Sequence, residues 1–168
     1  MSEVVAAVSI REARESDAAA LYDAWLAVRQ HYAAVDGRIV PAAVSREEFG
    51  EGLSQRIARP EAATFVAVAG AHVVGFITGG IEPGQPDRLP AEHATIGHLF
   101  VDPSRRRQGI GAKLVRAVTE WARSHEGVGH FEMTVLDADD DAREFWAAIG
   151  FRPFIQRLWA PIDTGRNA

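Results

Sequence analysis

The chain contains no cysteine. That excludes disulfides, thiolate metal sites and a cysteine nucleophile together. No apolar run is long and uncharged enough to cross a membrane as a helix. The opening residues, Met1-Ser2-Glu3-Val4-Val5-Ala6-Ala7-Val8, lack the length and basic start of a signal peptide, so a cytoplasmic protein is expected. There is no internal repeat and no low-complexity segment. Positive charge is in deficit, with a formal net charge of −5 at pH 7, which argues against general nucleic-acid binding. What remains is 168 residues of ordinary globular composition, enough for one domain over residues 1–168.

Against this acidic background stands a local basic cluster, Arg105-Arg106-Arg107, followed by Gln108-Gly109-Ile110-Gly111. An apparent strand precedes it (Thr95 to Val101), then a turn at Asp102-Pro103-Ser104. An amphipathic helix follows, with Ile110, Leu114, Val118, Trp121 and Ala122 on one face. A strand feeding a glycine-containing turn that opens a helix is a place to bind phosphate. The first helical N–H groups have no intrahelical partner, the helix dipole adds partial positive charge, and glycine lets the backbone come close. A Walker A loop is absent. A dinucleotide fingerprint fails because Leu114 stands where its third glycine belongs. The cluster also reads as an Arg-rich turn before an ordinary helix, or as a contact for a nucleic acid, a reading the net charge opposes.

The surviving pattern, [RQ]-x-x-G-x-[GA] on Arg106, Gly109 and Gly111, resembles the pyrophosphate loop of the GNAT family of N-acetyltransferases. A second motif supports the likeness. Ala142-Arg143-Glu144-Phe145-Trp146-Ala147-Ala148-Ile149-Gly150-Phe151 is similar to the family's A-x-x-F-Y-x-x-x-G-F helix and its exit. Ala142, Phe145, Trp146 and Ile149 share a face, and Gly150 stands at the left-handed cap position. Near the N-terminus, residues Ile10 to Asp17 resemble the family's opening strand and the start of its first helix, with Ser16 as the expected N-cap.

The element pattern agrees. Strands are expected over Val5–Glu12, Thr64–Ala69, His72–Ile81, Thr95–Val101, Phe131–Leu136 and Phe154–Ala160, with the hairpin turning at Gly70-Ala71. Helices are expected over Asp17–Ala34, Ser45–Ala58, Gln108–His125 and Asp140–Ile149, and a proline-rich loop over Glu82–Pro90. The resemblance implies an α/β (mixed α+β) fold. Its central sheet is mixed and mostly antiparallel, with a splayed parallel strand pair and helices on both faces.

The resemblance also implies acetyl-coenzyme A as acetyl donor, with no metal. Peptide N–H groups of Leu99, Phe100 and Val101 would meet the pantetheine arm and the acetyl oxygen. Arg106, Arg107, Gln108, Gly109, Ile110, Gly111 and Ala112 would hold the pyrophosphate. Two positions depart from the pattern. Trp146 replaces the tyrosine that protonates the leaving thiolate, and an indole N–H is no practical proton source. Asp139 replaces an asparagine that touches the cofactor arm. The acceptor would be a small-molecule or peptide amine, and homodimers through sheet edges or terminal strands are an option in the family.

Candidate bases are few. His98, on the strand beside the cofactor, has a side chain suited to proton transfer near neutrality, or is a hydrogen-bonded strand histidine. Glu132 shares a face with Thr134 on the neighbouring strand, as a second candidate base or a solvated residue. Glu82, Glu92 and His93 flank the acceptor side. His31, Tyr32 and Trp159 are further candidates for the acceptor pocket, and Tyr22 or Tyr32 for an alternative phenol. The competing function is a module that binds the coenzyme without turnover.

Overall fold

A computed structural model describes residues 7–84 and 92–162. The first residues of the expected opening strand, and the proline-rich loop from residue 85 on, lie outside it. Five strands form one sheet in the order β1-β2-β3-β4-β5: Val8–Glu12, Ala62–Ala69, His72–Pro83, Glu92–Val101 and Val128–Glu132. Neighbours pair antiparallel except β4 and β5, which are parallel. Helices α1 (Ala18–Val35) and α2 (Arg46–Ile57) cover one face. Helix α3 (Ile110–Arg123) covers the other, and α4 (Asp140–Ala148) packs beside it. The mixed sheet with helices on both faces is the architecture expected.

Strand alternation divides the core in two. Val66 and Phe76 point to α1 and α2, where they meet Leu21, Val28 and Leu53. Ala67 and Ile77 point to α3, where they meet Leu114 and Val118. Each helix start has a local cause. Ser45 Oγ accepts the Glu48 N–H while Glu48 Oε2 accepts the Ser45 N–H, a reciprocal cap for α2. Ser16 is exposed and does not cap α1. Asp17 instead receives a forked bond from Arg11 at 2.7 and 2.8 Å, together with the Arg14 N–H.

Two strand expectations need correction. The strand expected over Phe131–Leu136 is β5, and it ends at Glu132. Met133 and Val135 still pack on the core, so their alternation is real, but no neighbouring strand accompanies them. The strand expected over Phe154–Ala160 does not form, and Phe154, Ile155, Leu158 and Trp159 are exposed. Alternation marks strand-compatible residues but cannot supply the partner that makes a ladder. Trp159 carries the Arg38 guanidinium 4.8 Å above its ring and does not line the cavity described below. Among the described residues, no helix is long and apolar enough to cross a membrane.

Candidate functional site

The site begins with an irregularity in β4. Thr78 pairs with His98 but Gly79 pairs with Ile96, so Gly97 is an extra residue. A bulge of this kind reverses the alternation beyond it. Ile96, Leu99 and Val101 all pack on the α3 side, whereas Phe100 packs with Phe76 on the α1–α2 side. His98 is thereby turned towards α1 and α2. Without the bulge it would share the face of Ile96. A Cβ at Gly97 would lie 2.9 Å from Thr78 Oγ1, the same atom that accepts the His98 N–H at 2.9 Å.

The bonding phase of β4 matters next. The Asp102 N–H donates to Val74 O at 2.9 Å. Bonds alternate along an antiparallel ladder, so the Phe100 peptide also faces β3, while those of Leu99 and Val101 face away. On that side the β4–β5 ladder has already stopped at Thr95 and Glu132. A gap therefore opens between the end of β4 and the chain after Glu132. Of the three expected peptide donors, this phase aims Leu99 and Val101 into the gap and commits Phe100 to the sheet.

The gap leads to the basic turn. Asp102 Oδ1 accepts both the N–H and the hydroxyl of Ser104, at 2.8 and 2.6 Å. Arg106 Nε donates back to Val101 O at 3.2 Å. Arg107 and Gly109 take left-handed φ of 63° and 76°. Gly109 is the N-cap of α3 and offers no side-chain acceptor, and the first turn of α3 has no acidic residue. The N–H groups of Ile110, Gly111 and Ala112 therefore keep their anion-binding capacity. Arg106, Arg107 and Gln108 are exposed around them. Gly111 has a packing role as well: a Cβ there would meet the Phe145 ring at 3.2 Å, so its absence lets α4 approach α3.

The two departures from the family pattern have structural occupations. Asp139 is buried. Its Oδ1 accepts the Ala142 N–H as the cap of α4, and its Oδ2 lies 2.6 Å from His31 Nε2. Trp146 is 7% exposed and stands edge-on to Phe145 and Phe151, at 5.1 and 5.0 Å between ring centres. Both were expected at the cofactor. Asp139 is committed to internal bonds and Trp146 is a core side chain.

His98 lies between Phe76 and Tyr32, stacked on the latter at 6.5 Å. Burial lowers its pKa below 6.5, helped by the charges of Arg29 and Arg56. Burial raises the Tyr32 phenol above 10.0, helped by Asp139. Tyr22 is engaged elsewhere, donating its hydroxyl to Val44 O at 2.8 Å. Glu132 pairs with Thr95 and so shares the face of His98. It lies 3.1 Å from His130 Nε2 and 4.0 Å from His93 Nε2, and those two rings stack. No group of histidines and carboxylates among the described residues is arranged to hold a metal ion.

Beside His98, between α1, α2 and the sheet, is a cavity of about 190 Å³ whose walls include Trp25, Phe49, Arg56, Phe76 and Thr78. Arg56 donates to Thr64 Oγ1 at 3.2 Å, to Ala63 O at 3.3 Å and to Gly79 O. Burial lowers its pKa. Arg29 Nε is buried with no hydrogen-bond partner. Sequence reasoning missed Arg29, Arg56, Thr78 and Gly97. Only Gly97 carried a local signal, as a glycine inside a strand pattern.

Comparison with known proteins agrees with this fold. The family model described as "Acetyltransferase (GNAT) family" matches residues 20–151. An aminoglycoside N(6')-acetyltransferase type 1 of Klebsiella aerogenes is 35% identical over 78 residues, 46% of this chain and 51% of that protein. Human N-acetyltransferase 8 is 33% identical over 104 residues, 58% of this chain and 43% of that protein. The chain thus matches about half the length of these relatives. Among solved structures, a mutant of the BH1408 protein from Bacillus halodurans superposes with a TM-score of 0.80 at 22% identity, covering 92% of this chain and 99% of that one. Aminoglycoside N-acetyltransferase AAC(6')-Iy in complex with CoA does so with a TM-score of 0.71 at 16% identity, covering 94% and 96%. At these identities the structures speak for the fold.

Proposed function

This chain belongs to the acetyltransferase (GNAT) family, and from that premise we propose that it moves the acetyl group of acetyl-coenzyme A to a primary amine of a small molecule or peptide, by direct attack in a ternary complex. The observation that carries this reading is the end of the β4–β5 ladder at Thr95 and Glu132. It leaves a gap lined by Leu99 and Val101 that leads from His98 to the turn at Arg106–Ala112.

Each part of the site has a task. N–H groups from Arg107 to Ala112 hold the pyrophosphate. The Leu99 and Val101 peptides hold the pantetheine arm and polarise the thioester carbonyl. An alkyl amine has a pKa near 10, so about one in a thousand is neutral at pH 7, equivalent to roughly 4 kcal/mol. His98 stays unprotonated in its buried position and takes the proton as the amine nitrogen bonds the carbonyl carbon. The carbon–sulfur bond then breaks, and the Tyr32 phenol protonates the departing thiolate. A thiol pKa of roughly 8.5 makes the demand on this acid small. Glu132, on the same face, is the second candidate for receiving the proton.

Calorimetric titration with acetyl-coenzyme A, followed by colorimetric thiol release against a panel of amines, tests the proposal. The chain has no cysteine, so every thiol detected is product. Absence of binding would sink the proposal. Binding without thiol release from any amine would favour a coenzyme-binding module, a reading motivated by the structural occupations of Trp146 and Asp139.

A further inference from the structure

We propose that the acceptor is a small primary monoamine with an aromatic or apolar body, bound in the cavity beside His98, and that this cavity excludes polycationic acceptors. The inference rests on the acetyl-transfer reading and names its acceptor class.

Size is the first reason. The cavity, about 190 Å³, is smaller than the roughly 300–1,000 Å³ of pockets that take drug-sized ligands. One ring on a short chain fits that scale, and a chain of aminosugar rings does not. Wall chemistry is the second. Trp25, Phe49 and Phe76 offer ring faces and edges to an apolar body, and Leu53 an aliphatic surface.

Charge is the third. Among the described residues that line the cavity none is acidic, while Arg56 is part of its wall. The Arg29 charge acts on His98 from the same region, and Arg29 Nε is buried without a partner. Nearby carboxylates have other occupations. Glu132 sits with His93 and His130, and Asp139 is bonded to His31 and the Ala142 N–H, while the Glu82 charge acts on Arg56 from outside the cavity's described lining. A second ammonium on the acceptor would sit beside the Arg56 guanidinium, with no carboxylate among the described wall residues to pair with it. The reacting amine gains from the same field, because a cationic and poorly solvated site favours its neutral, nucleophilic form.

Thiol-release rates with 2-phenylethylamine, spermidine and kanamycin, measured beside the calorimetric affinity for acetyl-coenzyme A, decide the matter. We expect kcat/KM for 2-phenylethylamine to exceed both others by about tenfold or more, a difference of about 1.4 kcal/mol. Comparable or better turnover of spermidine or kanamycin overturns the acceptor class and leaves the acetyltransferase reading intact. Turnover of none of the three by coenzyme-bound protein also overturns it. Failure to bind acetyl-coenzyme A overturns both readings.

A variant places the binding. Gly52 lies in the cavity wall on α2, and a Cβ there meets nothing within 4 Å. Gly52 is exposed, so Gly52→Leu is accommodated by the fold and adds apolar bulk at this edge of the cavity wall. It should raise the KM for 2-phenylethylamine about tenfold while affinity for acetyl-coenzyme A is kept. An unchanged KM would remove the amine from this cavity.

Discussion

His31 Nε2 lies 2.6 Å from Asp139 Oδ2, joining residues 108 positions apart. The other oxygen of Asp139 caps α4 through the Ala142 N–H. One carboxylate thus fixes the start of α4 and ties the segment after β5 to the helix that carries Tyr32. Asp139→Ala loses both functions and should destabilise by about 1–3 kcal/mol in urea unfolding. Asp139→Asn keeps the capping oxygen and should lose less. Equal losses would assign the energy to the His31 contact.

The bulge can be probed from both strands. Thr78→Val leaves the His98 N–H without its acceptor and should cost about 1–3 kcal/mol. Gly97→Ala pushes a methyl group against Thr78 Oγ1, so either β4 shifts beneath His98 or Thr78 turns away from the His98 N–H. Either change disturbs the seat of His98 and should lower kcat/KM about tenfold. Wild-type activity in a folded Gly97→Ala protein would show that the bulge does not position the chemistry.

The pH dependence follows from His98. Its folded-state pKa lies below 6.5, chiefly through burial. Between that lowered value and 6.5 the unfolded chain binds more protons, so the contribution of this group to stability is full above 6.5 and is lost as pH falls through the folded pKa. The His98 limb of kcat/KM should accordingly lie below 6.5, and above it the profile should follow only the rise set by the free amine's own titration at about 10. In His98→Gln the limb should vanish together with most of the rate, about 10²-fold or more. An acidic limb that survives in this variant would move the base elsewhere, with Glu132 as the next residue to replace.

Gly109 tests the turn. At φ 76°, Gly109→Ala incurs about 1–2 kcal/mol of left-handed strain. Gly109→Glu adds bulk and negative charge where the pyrophosphate would sit. It should abolish calorimetric binding of acetyl-coenzyme A while the far-ultraviolet circular dichroism spectrum is preserved. Unchanged affinity would refute the assignment of residues 106–112.

Trp146 separates packing from cofactor contact. Trp146→Ala should destabilise by about 3–5 kcal/mol, as expected for an aromatic removed from a core. Below its unfolding transition the variant should bind acetyl-coenzyme A with unchanged affinity. A large loss of affinity in folded protein would return Trp146 to the cofactor site.

Much of this architecture was legible in the residues because its signals are local. The 3.6-residue period of Ile110, Leu114 and Val118 located α3, and Gly150 adopts the left-handed φ of 106° that its place after α4 implied. The turn at Gly109 was legible for the same reason, since glycine requirements belong to single positions. The strand at 154–160 was misread because its pattern is genuine and its partner is missing. Motif position put Trp146 and Asp139 at the cofactor and is silent on the core packing and the His31 contact that the structure gives them.

Sequence alone determined the family and the order of elements from β1 to α4, because periodicity, caps and glycine positions act over a few residues. Tertiary structure decided which way His98 faces, since one unpaired residue at Gly97 inverts the alternation of the strand and only pairing with Thr78 reveals it. It also decided the cavity's charge. Arg29 and Arg56 reach the neighbourhood of His98 from separate helices, and no local pattern records that meeting.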